Sequence, residues 1–276
     1  MFNAPAPIDI DVSDQEMQLF QQLFRQHVGL HLPDSKKALL HSRLAGRMNE
    51  LRLGSLGEYH ALIARPSATA ERQRAIDLIT TNETYFFREQ RHFDFLKEQL
   101  LPTLGIVSHL KVWSAASSSG EEAYSLAMLL GEQRRQAAWS VFASDISQRV
   151  LSFGRRGLYP MARGQNIPEA YLKRYCLCGT GKYEGHFLIA PELRRKVQFE
   201  QRNLMDLSQD ADQQYDIIFL RNVIIYFDFE TKVEVIRAVT RKLKQGGHLI
   251  VGHSESLHGM PLDLQMLSPS IYWKSR

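Results

Sequence analysis

Two acidic residues, Glu122 and Asp145, stand where a nucleoside-binding site would need charged groups. Glu122 follows a run of small residues, Ser114 to Gly120, that separates a short apolar strand from a predicted helix beginning at Glu121. Small residues let a ligand approach the backbone closely, and the first turn of a helix presents unpaired N–H groups. Asp145 ends the next predicted strand, where a carboxylate can accept hydrogen bonds from both hydroxyls of a ribose. This spacing predicts a site for a nucleoside-type cofactor.

The loop differs from the dinucleotide-binding fingerprint, because Gly120 is its only glycine and the carboxylates Glu121 and Glu122 follow it. Carboxylates at a helix start oppose a pyrophosphate but suit a cationic ligand, such as an ammonium or a sulfonium group. S-adenosylmethionine carries both of these charges and a ribose. However, strand, small-residue turn and helix recur in many α/β proteins, and Glu in a first helical turn is ordinary dipole complementation. The two strands alone therefore leave a cofactor-free interpretation open.

The predicted strands and helices that position Glu122 and Asp145 indicate an α/β domain. Buried strands at Tyr215–Leu220 and Gly246–Val251 alternate with helices, and the count reaches about seven strands when two short C-terminal candidates are included. We predict a Rossmann-like doubly wound sheet, in which ligands bind beyond the carboxyl ends of the strands. Asn203–Leu204 and Arg221–Asn222 fall at such ends, on the edge that also holds Asp145. Their convergence predicts one shared site.

Two further regions flank or interrupt this sheet. The first 80 residues show helix signals, including a Ser13/Glu16 capping box, and we predict a helical domain for residues 1–80. Residues 81–276 are predicted to form the α/β domain. Within it, turn signals and short alternating runs at His186–Ile189 and Lys196–Phe199 predict an inserted antiparallel β subdomain at about 158–202.

A basic ridge lies on the second predicted helix of the N-terminal domain. Lys36, Arg43 and Arg47 fall within about 60° of its apolar stripe, at roughly 100° per residue. A ridge of this kind is either a solvated helix face or a docking surface for an acidic helical partner. The sequence leaves both interpretations open.

Composition excludes several classes of protein. The 276 residues are 44% hydrophobic and 23% charged, which is typical of a globular protein. The N-terminus lacks the basic start and apolar segment of an export signal, and no apolar run reaches the roughly 18 residues that span a bilayer, so we expect a cytoplasmic protein. The net charge of +4 permits an acidic partner or nucleic acid. Cys176 and Cys178 are interpreted as reduced structural thiols, with metal ligation as the lesser alternative, and no metal site is predicted.

The chain closely resembles the chemoreceptor glutamate methyltransferases of bacterial chemotaxis, the CheR family, in six motifs that occur in the family's order: TNETYFFRE, WSAASSSGEEAYSLA, FASDI, RNLMD, FLRNVIIYFD and GGHLIVGHSE. The resemblance runs from about Ser13 to the C-terminus. It implies methyl esterification of glutamate side chains on the cytoplasmic helical bundle of chemoreceptors. S-adenosylmethionine would be the methyl donor and S-adenosylhomocysteine the product. The implied partner is a protein, and neither nucleic acid nor membrane insertion is expected.

The resemblance also implies site residues. Tyr226 matches a tyrosine of the methyl-transfer site, alongside Arg88. The basic ridge of Lys36, Arg43 and Arg47 matches the helix to which receptor docking is attributed. The inserted hairpin resembles a subdomain that in some members binds a peptide at the receptor's C-terminus. The family's cofactor contacts fall on nine positions: Asn82, Thr84, Arg88, Glu122, Asp145, Asn203, Leu204, Arg221 and Asn222.

The chemistry implied by the resemblance needs little catalytic machinery. A glutamate carboxylate is ionised at pH 7 and can attack a sulfonium methyl without a general base. We hypothesise that Glu122 binds the methionine ammonium, Asp145 the ribose and Arg88 a carboxylate, while Tyr226 orients the incoming glutamate.

Three alternatives to this function remain at the sequence level. One is a non-catalytic adaptor that binds the cofactor or its demethylated product as a signal. A nucleic-acid methyltransferase is permitted by the charge, but the chain has no D/N-P-P-Y or Pro-Cys motif and no basic stripe interleaved with aromatic residues. An NAD-dependent oxidoreductase would share the fold, but the acidic pair after Gly120 argues against a pyrophosphate.

Overall fold

The computed structural model describes residues 12–104, 109–208 and 213–275, which divide into two compact units between Thr80 and Thr81. Residues 1–11, in which the sequence predicts no export signal, lie outside the described residues. In the described part of the chain, no helix is long and apolar enough to cross a membrane. Over residues 12–80, the described part of the first unit, there are four α-helices: α1 (Asp14–Val28), α2 (Lys37–Glu50), α3 (Leu56–Ile63) and α4 (Thr69–Ile79).

Local signals account for the ends of α1. The Ser13 hydroxyl accepts a hydrogen bond from the Glu16 N–H at 3.2 Å, and the Glu16 carboxylate accepts one from the Ser13 N–H at 3.1 Å. These are the two reciprocal bonds of a capping box. Gly29 ends the helix with a φ of 73°, in the left-handed region that glycine adopts without steric cost. The core of this unit is apolar and includes Phe20, Leu44 and Tyr59.

The second unit begins with helix and continues as alternating strands and helices. Its helices are α5 (Gln90–Phe95), a π-helical turn (Leu96–Leu100), α6 (Leu101–Thr103), α7 (Glu121–Gln133), α8 (Gln148–Arg156), α9 (Glu169–Tyr175), α10 (Pro191–Arg194) and α11 (Phe229–Arg241). Its strands are β1 (His109–Ser114), β2 (Ala138–Asp145), β3 (Leu158–Pro160), β4 (Cys176–Cys178), β5 (His186–Ile189), β6 (Val197–Gln201), β7 (Tyr215–Leu220), β8 (Leu243–Val251), β9 (Gln265–Ser268) and β10 (Ile271–Trp273).

Seven strands form the main sheet in the order β6-β2-β1-β7-β8-β10-β9. The first five are parallel, whereas β10 runs antiparallel to both β8 and β9. Adjacent residues of a strand point to opposite faces, and accordingly Val112 packs in one apolar core while Trp113 packs in the other. The chain adds strands first on one side of β1 and then on the other. This reversal places a crevice between the carboxyl ends of β1 and β7.

The small sheet has three antiparallel strands in the order β3-β5-β4. The predicted fold class is confirmed in its helical start, its seven-stranded sheet and its small antiparallel sheet. One detail was wrong: Lys196–Phe199 was assigned to the inserted hairpin, but Val197–Gln201 is an edge strand of the main sheet, parallel to β2. Its alternation of buried Val197 and Phe199 with exposed Gln198 fits either position, because local periodicity does not specify the neighbouring strand.

The two cysteines lie on β4 as free thiols. Burial raises the pKa of the Cys176 thiol to about 12, so this thiol stays protonated and unreactive at neutral pH. This agrees with the interpretation of Cys176 as a structural thiol, whereas Cys178 is exposed.

Gly120 is expected to be required for the turn between β1 and α7. Its φ is 96°, and a Cβ there would lie 2.9 Å from the Phe199 ring and 3.0 Å from the Gly154 Cα. We expect Gly120→Ala to lower the free energy of unfolding by more than the ~1–3 kcal/mol of backbone strain alone. Chemical denaturation measures this. Gly46→Ala is the control, because its Cβ meets nothing within 4 Å in α2 and is expected to stabilise the protein slightly. Equal effects of the two substitutions would contradict the prediction.

Candidate functional site

The guanidinium of Arg221 lies between two carboxylates beyond the ends of β1 and β7. Its Nη1 is 2.9 Å from Glu122 Oε2, and its Nη2 is 2.9 Å from Glu89 Oε2. Nη2 also donates to the carbonyl oxygen of Arg88 at 2.6 Å. The Arg221 side chain is only 1% exposed, so these charge-assisted hydrogen bonds lie out of water. They tie the end of β7 to the start of α7 and to the TNETYFFRE segment.

Glu122 is held at the first turn of α7 from two sides. Besides Arg221, the Ser114 hydroxyl at the end of β1 donates to Glu122 Oε1 at 2.7 Å. Burial raises the pKa of the Glu122 carboxyl, although the positive charge of Arg221 and the bond from Ser114 oppose this rise. A carboxylate in this setting is a poised partner for a positively charged ligand.

The neighbouring Glu121 is directed elsewhere. Its carboxylate is fully buried and pairs with Arg163, which lies just after β3 of the small sheet, while Ser119 Oγ donates to Glu121 Oε2 at 2.7 Å. The acidic pair that the sequence places after Gly120 is therefore split. Glu122 belongs to the cluster at the strand ends, and Glu121 anchors the small subdomain. Arg163 was missed in the sequence, because nothing local links it to this loop.

Asp145 is positioned by backbone groups at the end of β2. Its Oδ2 accepts the Ser118 N–H and its Oδ1 accepts the Ser147 N–H, both at 2.9 Å. Ser118 Oγ in turn donates to the carbonyl oxygen of Asn82 at 2.9 Å. This chain of contacts brings Asp145, the small-residue turn and the Asn82 backbone together.

Asn222 is anchored by a second carboxylate that the sequence analysis missed. Its amide Nδ2 donates to Glu89 Oε1 at 3.1 Å, and its backbone N–H donates to Glu255 Oε2 at 2.7 Å. The buried Glu255 also accepts the N–H groups of Val223 and Ile224 at 2.9 Å each, and that of Gly252 at 2.7 Å. Four backbone donors thus converge on one carboxylate. The only sequence signal was its place in GGHLIVGHSE.

The remaining predicted positions lie in the TNETYFFRE segment and in the loops that follow β6 and β7. Arg88 donates to the Glu83 carbonyl oxygen at 2.8 Å, and its guanidinium carbon lies 5.8 Å from the centroid of the Tyr85 ring. Tyr226 is half-buried in a 3-10 turn four residues after Asn222. Three more predicted site residues are Thr84, which is half-buried in the TNETYFFRE segment, and Asn203 and buried Leu204, which lie just beyond the end of β6.

Unusual backbone conformations concentrate here. Phe87, Glu89, Ser118 and Asn222 have φ values of 55°, 57°, 48° and 56°, in the left-handed region that residues other than glycine rarely adopt. Each costs on the order of 1–3 kcal/mol, and such strain persists where surrounding contacts over-determine the conformation. The clustering marks this edge of the sheet as a functional site.

Comparison with known proteins agrees with this geometry. The profile of the all-alpha domain of CheR methyltransferases matches residues 15–80, and that of the SAM-binding domain of CheR methyltransferases matches residues 82–272. The chain belongs to the CheR methyltransferase family. It is 36% identical over 267 residues to the chemotaxis protein methyltransferase of Salmonella typhimurium, covering 96% of this chain and 92% of that one. Its identity to the chemotaxis protein methyltransferase of Borreliella burgdorferi is 34% over 278 residues, with 97% of both chains covered.

The cofactor of this CheR-family protein is S-adenosylmethionine, and the groups at the strand ends fit it. Glu122 offers a carboxylate that is only 11% exposed for a cationic group, and buried Asp145 offers acceptor oxygens at the position that binds a ribose in doubly wound sheets. A carboxylate has about four acceptor positions, so Asp145 can accept hydrogen bonds from ribose hydroxyls in addition to those from the two backbone N–H groups.

The three docking candidates belong to the first unit of this CheR-family chain. Arg43 Nη1 lies 3.2 Å from the carbonyl oxygens of both Leu78 and Thr80, next to the end of α4. Arg47 binds Glu71 through Nε at 2.9 Å and Nη2 at 2.6 Å. These bonds hold α2 against α4, whereas Lys36 is exposed. Receptor docking by the ridge stays a prediction, and two of its members have a structural task as well.

Glu89, His92 and His253 lie close enough to resemble a metal site, with possible ligand atoms all within 4.8 Å of one another. However, Glu89 Oε2 already accepts a hydrogen bond from the backbone N–H of His253 at 3.1 Å and lies 2.9 Å from Arg221 Nη2. We therefore interpret Glu89 as the centre of a hydrogen-bond network. Burial raises the pKa of Glu89, but the bonds from Asn222 and Arg221 and the charge of Arg221 outweigh it and hold the pKa at about 2.

His92 is expected to make this protein acid-sensitive. Burial, and secondarily the positive charge of Arg221, lower the pKa of His92 from 6.5 to about 3. Between these values the unfolded state binds one more proton, so stability falls as pH is lowered, by about 1.4 kcal/mol per pH unit. His92→Gln is expected to reduce this slope by up to about 1.4 kcal/mol per pH unit in urea unfolding between about pH 5 and 6.5. Exposed His258→Gln should keep the slope. An unchanged slope in His92→Gln would contradict the prediction.

Proposed function

We propose that this protein transfers the methyl group of S-adenosylmethionine to glutamate side chains on the cytoplasmic helical domain of bacterial chemoreceptors, forming methyl esters and releasing S-adenosylhomocysteine. One observation carries the proposal: this chain of the CheR methyltransferase family has a bonded network at the carboxyl ends of β1 and β7. In it, Arg221 binds both Glu122 and Glu89, and Glu89 also accepts a hydrogen bond from Asn222. Relatives named chemotaxis protein methyltransferases over nearly the full length support the choice of substrate.

The residues of the chain have a limited task in this reaction. The bound cofactor supplies a methyl group on a positively charged sulfur. Because the glutamate substrate is already ionised at neutral pH, no general base is required. The protein has to align the carboxylate with the methyl group and remove water from it.

We assign roles on this basis. Glu122 binds the ammonium group of the cofactor and Asp145 its ribose. Arg88 binds a carboxylate, that of the cofactor or of the substrate, and Tyr226 orients the incoming glutamate. The remaining cofactor contacts are assigned to Asn82, Thr84, Asn203, Leu204, Arg221 and Asn222.

The function is tested with S-adenosylmethionine carrying a tritiated methyl group and a panel of receptor cytoplasmic fragments. The expected result is label in a receptor fragment that mild base releases as methanol, the behaviour of a methyl ester. Asp145→Ala is the control, since it is expected to lose cofactor binding by calorimetry and all transfer. Cofactor binding without transfer to any fragment would favour an adaptor. Label on RNA or DNA would favour a nucleic-acid methyltransferase.

The basic ridge is tested most cleanly at Lys36. Lys36→Glu is expected to lower kcat/KM for a receptor fragment several-fold, because it reverses a charge facing an acidic helical partner. Cofactor affinity and melting temperature should not change, since Lys36 is exposed. Charge reversal at Arg43 and Arg47 is expected to slow methylation too, but Arg47→Glu should also lower the melting temperature because it breaks the pair with Glu71. If Lys36→Glu left kcat/KM unchanged at low salt, Lys36 would have no part in docking.

A receptor C-terminal peptide is proposed to bind the small sheet. Both β3 and β4 are edge strands of this sheet, and an exposed edge can accept an extended peptide as an added strand. Calorimetry with receptor C-terminal peptides tests this. A scrambled peptide of the same composition is the control, and equal binding of the two would argue against strand addition.

A further inference from the structure

Three arginines line one cavity of the second unit, whose wall includes neither Glu122 nor Asp145. Arg155 lies in the last turn of α8, and Arg194 and Arg195 lie at the end of α10. The rest of the wall is formed by Tyr124, Pro191, Val197 and Phe199. None of these seven residues is acidic, so the wall carries only positive formal charge.

The guanidinium groups of Arg155 and Arg194 are held by backbone carbonyls. Arg155 Nη2 lies 3.0 Å from the carbonyl oxygen of Phe199, and Arg194 Nη2 lies 3.1 Å from the carbonyl oxygen of Arg155. A carbonyl fixes the direction of a guanidinium without neutralising it. Within residues 12–104, 109–208 and 213–275, no carboxylate forms an ion pair with Arg155, Arg194 or Arg195, and Arg194 Nε is buried without a hydrogen-bond partner.

A favourable interaction with a helix dipole accounts for only part of the positive charge around this cavity. Arg155 and its neighbour Arg156 end α8, where the C-terminal carbonyls favour cations. Arg194 and Arg195 come from a different segment, and they place further positive charge against the same cavity. Like charges gathered in one concave site repel each other, and an anion relieves this repulsion.

A second basic cavity shows the contrast. It is lined by Arg237, Arg241 and Lys274, but Asp263 lies in the same wall. Lys274 Nζ also donates to two carbonyl oxygens, those of Thr240 and Leu243, at 2.9 and 2.7 Å. That cavity therefore contains its own counter-charge. The cavity of Arg155, Arg194 and Arg195 does not.

We propose that this cavity binds a small molecule through a diphosphate or triphosphate group that bridges Arg155, Arg194 and Arg195. Guanidinium groups match phosphate oxygens in bidentate geometry, and three of them suit a group with several negative charges better than a single carboxylate. The site is independent of the methyl-transfer site and of the function proposed for it.

Calorimetry with pyrophosphate and with ADP tests the proposal on the full chain. Saturating S-adenosylhomocysteine occupies the cofactor site, and sodium chloride matches the ionic strength. Pyrophosphate is expected to bind with one site per chain and to raise the melting temperature above the chloride control. Tenfold tighter binding of ADP would support a nucleotide as the ligand, whereas equal binding would support recognition of the phosphate groups alone.

Two variants and one control decide the location. Arg195→Glu changes an exposed side chain, and the double variant Arg194→Ala with Arg195→Ala removes two guanidinium groups. Both are expected to weaken pyrophosphate binding at least tenfold. Arg156→Glu is the control with the same change of two charges, because the Arg156 guanidinium lies 4.4 Å from the centroid of the Phe153 ring and Arg156 is outside the cavity wall. Unchanged binding in Arg195→Glu, an equal loss in Arg156→Glu, or no binding beyond the chloride control would overturn the proposal.

Discussion

Arg221→Ala is expected to abolish measurable cofactor binding and to lower the free energy of unfolding by about 3–5 kcal/mol, the cost of breaking a buried ion pair from one side. The guanidinium lies 2.9 Å from carboxylate oxygens of both Glu89 and Glu122. Without it, two acidic groups with little exposure remain without their cation. Glu122, the proposed partner of the cofactor's ammonium, also loses the group that fixes it.

The pH dependence of the loss of stability shows whether it comes from the unpaired carboxylates or from a packing defect. The pKa values of Glu89 and Glu122 would both be higher in Arg221→Ala, because the cation that favours their charged forms is gone. Groups with higher folded pKa values take up protons more readily in the folded state, so the stability difference between the variant and the unchanged protein should shrink as pH falls from 8 toward 5. Urea unfolding at several pH values, with calorimetry of S-adenosylhomocysteine, measures both effects. Exposed Arg149→Ala is the control. A pH-independent loss would point to packing alone.

Glu255→Ala is expected to have the second largest effect. It removes the acceptor of four backbone N–H groups, those of Asn222, Val223, Ile224 and Gly252. A buried donor left without a partner costs about 1–3 kcal/mol, so a total loss of at least about 3 kcal/mol is expected even if water reaches some of the four. Because this loop leads to Tyr226, kcat should fall even when cofactor is saturating.

The conservative variant Glu255→Gln separates the roles of charge and shape. It keeps the size of the side chain but turns one oxygen into a donor that faces N–H groups, so an intermediate loss of stability is expected. Glu234→Ala, at an exposed position of α11, is the matched control. If Glu255→Ala melted at the same temperature as Glu234→Ala and kept its kcat, the four bonds would have no part in holding the loop.

Local sequence signals were sufficient for much of the fold. The capping box of Ser13 and Glu16, the small-residue turn before α7 and the place of Asp145 at a strand end all depend on near neighbours. The buried strands β7 and β8 are recognisable because both faces of a parallel sheet are covered, which gives continuous apolar runs. The resemblance to a known family supplied the site positions that periodicity alone does not mark.

Contacts between residues that are far apart in the chain have no local sequence signal. Glu89 and Glu255 were within quoted motifs, yet their tasks follow from Asn222, which lies 133 and 33 positions away along the chain. Arg163 lies 42 positions from Glu121. Strand β6 was assigned to the wrong sheet for the same reason, since its pairing with β2 spans the whole insertion. The helical stretch from α5 to α6 had no counterpart in the predictions.

The pairing of Glu121 with Arg163 limits how this protein can be shortened. The carboxylate of Glu121 is fully buried, and its cation comes from the segment just after β3. A minimal enzyme engineered without the small sheet would keep a buried carboxyl group in its interior with no compensating charge, next to the loop that leads to Glu122. Trimming the insertion therefore calls for a simultaneous change of Glu121 to an uncharged residue of similar size.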